Sequence, residues 1–480
     1  MELKLYDTMT RTVQPLWAED GEHFRFYCCG PTAHGPAHIG NFRAFLVQDV
    51  LRRTLEIVGL KPMHVRNLTD VDDKTIRGSR SEGKNLRGFT RQWIEQFHRD
   101  AEALNMLAPH REPRATDHID QQIGLAGQLI ENDLAYVARD GSVYFKVSAY
   151  PEYGKLSRLG EREISTQETT SAGRRNEADE YDRESISDFA LWKSRKPEDG
   201  DNFWDSPWGQ GRPGWHLECS AMSRHYLGDG IDLHAGGIDL CFPHHENEIA
   251  QCEGATGKRF ARHWFHNAHL QVEGQKMSKS LGNLYTLADL TEKGYSPMEV
   301  RYALISGHYR QPMNFTLASL QSSRSALKRL EKAIEAHLDG SGMSKEEFKA
   351  LAAPPFPTEW GLFEEAWRGL ANDLNVSRAL GGIFTGLARM AKANPGAVAP
   401  ENDLKALAGI FYALGIELYH SGGETPAIVP EELQCLARER WQAKQDKDWA
   451  KADLLRKRLL AGGWQVRDRK DGYDLIPNST

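Results

Sequence analysis

Between Phe24 and Leu68 the chain reads, in order, as a strand, a glycine turn, a helix and a second strand. Phe24-Arg25-Phe26-Tyr27-Cys28-Cys29 alternates or runs apolar, and Gly30-Pro31 turns it. After Gly40, the apolar residues Phe42, Phe45, Leu46, Val50, Leu51 and Leu55 keep helical spacing until Gly59 stops them. The second strand fits Pro62 to Leu68 and runs into the acidic Thr69-Asp70-Val71-Asp72-Asp73. That succession is the unit of a parallel, doubly wound α/β sheet, whose ligands sit beyond the strand C-termini. Cys29 and Thr69 both fall there.

The remaining segments arrange themselves around this unit. From about Ala135 to Gly209 the pattern breaks into polar stretches such as Gln167-Glu168-Thr169-Thr170-Ser171, as expected of an insertion between two sheet halves. The sheet signal returns at Ile231 to Leu240, with a helix from about Pro243. Beyond Pro297 long helical periodicities dominate, for example Leu320 to Ala336 and Leu404 to Leu418, broken by the loop-like Ala352 to Pro357. Ser421 to Pro430 reads as a linker to a small terminal domain. With 480 residues, 40% of them hydrophobic, the chain has room for about three domains.

No apolar run of about 18 residues occurs, and Met1 to Asp7 lacks the apolar core of a signal peptide. A cytoplasmic protein with no membrane partner is expected. Six scattered cysteines form no disulfide framework, so the thiols are free or metal-bound. The net charge of −7 argues against a nucleic-acid partner only on average. From Arg438 to Lys470 there are 11 Lys or Arg against 5 Asp or Glu, with Trp441, Trp449 and Trp464 interleaved. Such a segment is either a single-stranded RNA platform or a solvated amphipathic helix with core tryptophans.

Several residues carry possible chemistry. Cys219, His244 and Glu248 are ligand types suited to zinc, and His244 and Glu248 are four apart, on one helical face. Cys29 is the best fourth candidate because strand ends converge on the crevice. The spacing is not that of a zinc finger, and Cys241 and Cys252 are rivals. Taken alone, Cys219 would more often be a small buried hydrophobe. Gly236-Gly237-Ile238-Asp239 is a turn, or a place where a nucleotide approaches the backbone and Asp239 accepts from ribose hydroxyls. His38, at a helix start, is positioned to donate to phosphate oxygens. Lys276 and Lys279, set in Lys276-Met277-Ser278-Lys279-Ser280 between Gly274 and Gly282, could neutralise the phosphates of a leaving pyrophosphate.

Together and in this order, His38-Ile39-Gly40-Asn41 and Lys276 to Ser280 resemble the two signatures of the class I aminoacyl-tRNA synthetases. Cys29-Gly30-Pro31-Thr32, Asn67 to Lys74, Gly214 to Met222 and Phe242 to Glu248 are similar to segments of the cysteinyl-tRNA synthetase family. The likeness extends through Ser306 to Arg310, to Lys447-Asp448-Trp449 and Ala452-Asp453. It therefore covers nearly the whole chain.

The resemblance implies an enzyme that activates L-cysteine with ATP and magnesium and passes it to tRNA(Cys). It makes Cys29, Cys219, His244 and Glu248 the ligands of one zinc per chain. The zinc would act as a selector, since a thiolate binds its soft side far more cheaply than a serine hydroxyl. His38, Asn41, Lys276 and Lys279 are the implied catalytic residues. Gly30, Thr32, Gly40, Thr69, Trp215, His234, Gly237 and Asp239 are the implied substrate and ATP contacts. The implied domains are a Rossmann-like catalytic domain in two halves, 1–134 and 210–265, around a connective insertion at 135–209. There follow a lysine-loop and stem-contact region at 266–315, a helical tRNA-binding bundle at 316–420 and an anticodon-binding domain at 430–480. A monomer is implied as well.

The chain departs from the family pattern at three places. Asn41 replaces the second histidine of the first signature, and His34-Gly35 stands where the family has a Tyr-Asp pair. Asn41 can still donate through its amide but cannot carry charge. Cys28 beside Cys29 offers a second thiol, although strand alternation points the two in opposite directions. Two other functions fit the same catalytic half: a paralogous ligase that delivers cysteine to a small amine, and a catalytically dead scaffold that binds RNA or senses thiols.

Overall fold

The computed structural model describes residues 2–159, 175–176, 188–277, 282–393, 401–418, 431–446, 448–462, 464–469 and 472–477. Lys279, Gln167 to Ser171 and the expected linker from Ser421 to Pro430 lie outside these residues. The chain divides into two compact units, Met1–Asp289 with Pro297–Leu418, and Leu290–Ser296 with Tyr419–Thr480.

In the first unit, strands β1 (His23–Cys28), β2 (Lys61–Arg66), β3 (Ile231–Gly237) and β4 (Ala261–Asn267) form one sheet in the order β4-β3-β1-β2. Every pairing is parallel, with Tyr27 opposite His234 and Val65, and Leu233 opposite His263. Helix α1 (Ile39–Ile57) carries β1 to β2. Helices α2 (Trp215–Leu227) and α3 (Glu246–Thr256) flank β3 in sequence. The connections leaving β1 and β3 thus turn to opposite sides of the sheet. A crevice opens where the strand order reverses, beyond the ends of those two strands.

The buried face of α1 explains its length. Phe42, Leu46, Leu51 and Leu55 are each 0% exposed, and truncating one of these leucines to alanine would cost about 2–5 kcal/mol. The helix stops where Gly59 takes a φ of +80°. It also buries charge. Asp49 accepts from Arg53 Nε at 2.9 Å and from Arg301 Nη2 at 2.6 Å. Arg301, from helix Pro297–Ile305, in turn donates to the carbonyls of Leu104 and Leu414.

Several boundaries differ from the sequence reading: the strand expected to reach Leu68 ends at Arg66, and the helix expected to reach Leu418 ends at Leu414. The strand expected to reach Leu240 ends at Gly237 and gives way to a short 3-10 turn. The helix expected from about Pro243 is α-helical from Glu246 and is preceded by a π-helical turn over Cys241–His245, kinked at Phe242, which precedes a proline and stays extended at φ −140° and ψ 133°.

The segment between β2 and β3 contains a small sheet built on Ala135–Val137, Val143–Phe145 and Asp188–Ser194, with Gly211–Pro213 paired to the last. After β4, Leu270–Val272 pairs with Gln275–Lys276 and with Met313–Phe315. Helices Leu317–Ser341, Lys345–Ala350, Glu364–Ala371, Val376–Ala393 and Glu401–Leu414 follow. The second unit contains helices Glu431–Gln445 and Trp449–Ala461 and the antiparallel hairpin Trp464–Arg469 with Gly472–Pro477. Ala437, Leu459 and Val466 are buried together in its core.

Candidate active site

The crevice at the ends of β1 and β3 collects the four residues proposed as metal ligands. One donor atom each from Cys29, Cys219, His244 and Glu248 lies within 4.8 Å of the others, and all four residues are buried. Tetrahedral zinc would set such atoms about 3.3–3.8 Å apart. Cys29 follows β1, Cys219 sits on α2, and Glu248 lies in the first turn of α3. Cys28 points the other way, its Sγ 2.8 Å from His64 Nε2. Cys252 and Cys241 belong to neither potential ligand group found among the described residues.

The electrostatics of the four residues suit a cation. Burial would raise the Cys219 thiol, but the Cys29 thiol and His244 bring it down to about 6. Burial, and then Cys219, push Cys29 well above the usual thiol range. Burial would lower His244, yet the Glu248 charge and the Cys219 sulfur lift it to about 10. Against its own burial, His234 and His244 hold Glu248 well below the carboxylate range. His244 is thus lifted while Cys219 and Glu248 are lowered, a pattern that gathers negative charge where a divalent cation would neutralise it. His244 Nε2 is 3.4 Å from Glu248 Oε1, and His234 Nε2 is 2.8 Å from Glu248 Oε2, without the alignment of hydrogen bonds. Cys29 Sγ donates to Glu248 Oε1 at 3.9 Å, and two sulfurs, one imidazole and one carboxylate gathered this closely form a donor set that fits zinc.

Residues around the ligands hold them in place, and sequence reasoning missed most of them. His216 Nδ1 lies 2.8 Å from His244 Nδ1, which turns the other His244 nitrogen toward the sulfurs. His216 stands three residues before Cys219, a helical spacing that could have revealed it. His245 forms a second group with Cys29, His234 and Glu248, and its Nδ1 is 2.7 Å from His266 Nε2. Asn67 Oδ1 accepts from Gly30 N at 2.8 Å, and its Nδ2 donates to Thr69 Oγ1 at 3.2 Å. A side chain at Gly30 would overlap the Asn67 carbonyl. Thr32 pairs with Thr69 as an isolated bridge. Trp215 stacks on His244 with centroids 4.4 Å apart. Glu246 accepts from the backbone N–H groups of Gly154 and Ser157, at 2.9 Å each. Its neighbour Asn247 accepts from the Tyr153 hydroxyl.

The start of α1 forms the adjoining part of the crevice. His38 caps the helix: its Nδ1 accepts from Asn41 N at 3.3 Å, while Asn41 Oδ1 accepts from His38 N at 3.1 Å. Asn41 thus caps the helix through its Oδ1, and its amide Nδ2 remains the group for the donor role that the sequence reading gives it. Burial, and then the neighbouring His34, lower the His38 pKa, with Asp239 opposing them. The neutral ring accepts at Nδ1 and so carries its proton on Nε2, as a donor. Asp239 Oδ1 crowds Gly237, where a Cβ would lie 2.5 Å from it. Lys276 is exposed on its short strand. The segment beyond the lysine loop returns to the helix: Ile39 N donates to Tyr285 O at 2.9 Å, and His38 bridges Thr286.

Residues 17–325 match the model of the tRNA synthetases class I (C) catalytic domain, and residues 428–473 match the cysteinyl-tRNA ligase anticodon binding domain. The chain is 51% identical to the cysteine–tRNA ligase of Opitutus terrae, over 99% of both chains. The chain belongs to the cysteine–tRNA ligase family. Membership makes it an ATP- and magnesium-using class I aminoacyl-tRNA synthetase. The cysteine–tRNA ligase of Chlamydia muridarum is 40% identical, over 98% of this chain and 99% of its own. Structures show the same fold at low identity. Methionyl-tRNA synthetase of Mycobacterium tuberculosis, in complex with methionyl-adenylate, aligns at a TM-score of 0.56 and 15% identity, over 84% of this chain and 93% of its own. The agnB2 LeuRS of Agrobacterium radiobacter K84, in a ternary complex, aligns at 0.58 and 12% identity, over 83% and 84%. No described helix is long and apolar enough to cross a membrane.

Proposed function

We propose that the chain activates L-cysteine with ATP and transfers it to the 3′-terminal adenosine of tRNA(Cys). We assign one zinc to Cys29, Cys219, His244 and Glu248, where it selects the cysteine side chain. The observation that carries this reading is the convergence of those four donors in a buried site beneath Trp215. Bound there, zinc supplies a soft cation that accepts a thiolate far more readily than a hydroxyl. Trp215, Thr69 and His234 form the walls that orient the amino acid.

In the first step the cysteine carboxylate oxygen bonds to the α-phosphorus of ATP, and the bond from that phosphorus to the bridging oxygen breaks, releasing pyrophosphate. The His38 Nε2–H donates to phosphate oxygens as charge builds on them, helped by the N-terminal dipole of α1. Lys276 and Lys279 neutralise the departing pyrophosphate, with magnesium on the nucleotide. Gly30, Thr32, Gly40 and Gly237 let the backbone approach ligand closely, and Asp239 accepts from the adenosine ribose. In the second step a terminal ribose hydroxyl of the tRNA attacks the acyl carbon, the bond from that carbon to the phosphate oxygen breaks, and AMP leaves with the hydroxyl proton taken up on its phosphate.

The sheet halves 1–134 and 210–265 would perform this chemistry, with 135–209 as the connective insertion and 266–315 carrying the lysine loop. The bundle at 316–420 and the basic unit at 430–480 would hold and read the tRNA. Trp449 supports that division, being 58% exposed where Trp464 is 8% exposed, so its face is open to a base. We assign the protein as a cytoplasmic monomer.

The test is incorporation of labelled cysteine into acid-precipitable tRNA by the purified protein with ATP and magnesium, with labelled serine alongside. Charging with cysteine and not serine is expected. Adenylate formation without charging of competent tRNA would instead point to a ligase acting on a small amine.

A further inference from the structure

Arg43 lies one turn after Ile39 on α1 and is 1% exposed, among the largest side chains that the fold buries completely. No carboxylate offsets that burial, which brings the guanidinium pKa down to about 10 and leaves the group charged. Its Nη2 donates to Gln311 O at 3.0 Å and, at the limit of hydrogen-bond distance, to His308 O at 3.5 Å. Nε and Nη1 meet no acceptor among the described residues. A buried cation with two unmatched donor groups costs stability, and an apolar side chain of similar length would fill the space without that cost. What Arg43 supplies is a fixed place for the chain at Gln311, more than cohesion.

That place bears on the lysine loop. Gln311 leads into the strand Met313–Phe315, whose register sets Asn314 opposite Gln271, and Gln271 opposite Lys276. The hairpin that bears Lys276 is fastened to this strand again at its turn, where Gly274 N donates to Asn314 Oδ1 at 2.7 Å and Glu273 N to Phe315 O at 3.0 Å. The residues before Gln311 are held too: Tyr309 O accepts from Ala268 N at 2.8 Å, and Asp373 accepts from the Tyr309 hydroxyl and from Arg310 Nε. Beyond the loop, Tyr285 and Thr286 attach directly to Ile39 and His38. Ile39 and Arg43 are four residues apart, on one face of the helix. One turn of α1 thus holds the chain on both sides of the lysine loop, after it by direct contact and before it through Arg43.

We infer that Arg43 is a positioning residue for adenylate formation: by holding Gln311 it fixes the sheet that bears Lys276 at a set distance from His38. The inference rests on the roles given to His38 and Lys276 above. Those two side chains act on one triphosphate from separate elements, and misplacement of about 1 Å is enough to cost roughly a hundredfold in rate. Arg43 acts from within the protein, through backbone carbonyls, and its planar fork of donors is what a lysine cannot reproduce.

In the full-length protein, Arg43→Met removes the donors and keeps an unbranched apolar side chain. It is expected to melt at or above the wild-type temperature, to retain its zinc and its KM for cysteine, and to form adenylate about ten- to a hundredfold more slowly in single-turnover experiments. In a Lys276→Ala background the same substitution is expected to slow the already impaired protein by less than about threefold, since no lysine is left to misplace. Arg43→Lys, which keeps the charge but not the fork, carries the same comparison if the methionine variant does not fold. Equal losses in the two backgrounds, no loss in either, or loss of zinc together with activity would overturn the inference. A Lys276→Ala protein as fast as wild type would overturn the role of Lys276 instead.

Discussion

His38 and Asn41 cap each other across the first turn of α1, each side chain accepting from the other's backbone N–H. Asn41→Asp retains the acceptor and adds negative charge at a helix N-terminus, so the fold should gain about 0.3–1 kcal/mol. The same charge opposes a triphosphate, and the KM for ATP in pyrophosphate exchange should rise roughly tenfold, the equivalent of about 1.4 kcal/mol. An unchanged KM would mean that position 41 does not face the nucleotide.

A methyl group at Gly40 would overlap Met277 Cε and lie 3.0 Å from the His38 ring. The methionine tip can move cheaply, so Gly40→Ala should melt close to wild type. Displacing the start of the lysine loop should nonetheless lower the rate of adenylate formation by about ten- to a hundredfold, as misplacement near 1 Å does elsewhere. Stopped-flow measurement of adenylate formation, paired with a melting curve, separates the two effects.

Metal analysis discriminates among the cysteines. Cys219→Ser should lose bound zinc and cysteine activation together, while Cys252→Ala should retain one zinc per chain. Zinc loss from the Cys252 variant alone would place the ion elsewhere.

Asp49 should contribute an acid-dependent share of stability. Burial would raise its pKa, but Arg53 and then Arg301 hold it at about 2. With a folded value below the unfolded one of about 3.9, the stabilisation is present above pH 4 or so and is lost as pH falls toward 2, amounting to about 2–3 kcal/mol. Asp49→Asn should be less stable at pH 7 and should show a shallower decline between those values in urea unfolding. Parallel declines in the two proteins would show that the carboxylate is not held in this way.

Trp449→Ala should weaken aminoacylation through tRNA while leaving tRNA-independent pyrophosphate exchange intact. Loss of one stacked base is worth about 1–3 kcal/mol, or roughly a five- to hundredfold fall in kcat/KM for tRNA. An equal fall in both assays would point to a folding defect.

Local pattern made the sheet legible from sequence. The helix from Ile39 and the strands at Phe24 and Ile231 rest on spacing within a few residues, and the Cys28/Cys29 alternation follows from pleat alone. Spacing makes His244, Glu248 and Cys29 candidates beside the rivals Cys241 and Cys252, and only the family resemblance narrows the set to these with Cys219. The neighbours of these ligands could not be read this way. His266 reaches His245 across 21 residues, and Tyr285 reaches Ile39 from the far side of the lysine loop. Such pairings depend on where separate loops land after folding. Residue type shows that Asn41 carries an amide donor, but not that its Oδ1 closes the helix cap on His38 N. Among the three C-terminal tryptophans, composition could not tell the exposed ring from the buried one.

The clasp of Glu246 and Asn247 on Tyr153 to Ser157 bears on how this protein can be cut and recombined. Because the carboxylate is 1% exposed and draws its hydrogen bonds from that loop, the inserted sheet is bolted to the stretch of chain that also bears His244 and Glu248. A chimera that exchanges the insertion with a relative's must carry the loop and the clasp from the same parent. A seam drawn between them would strand a charge beside the ligands and loosen the site from a distance.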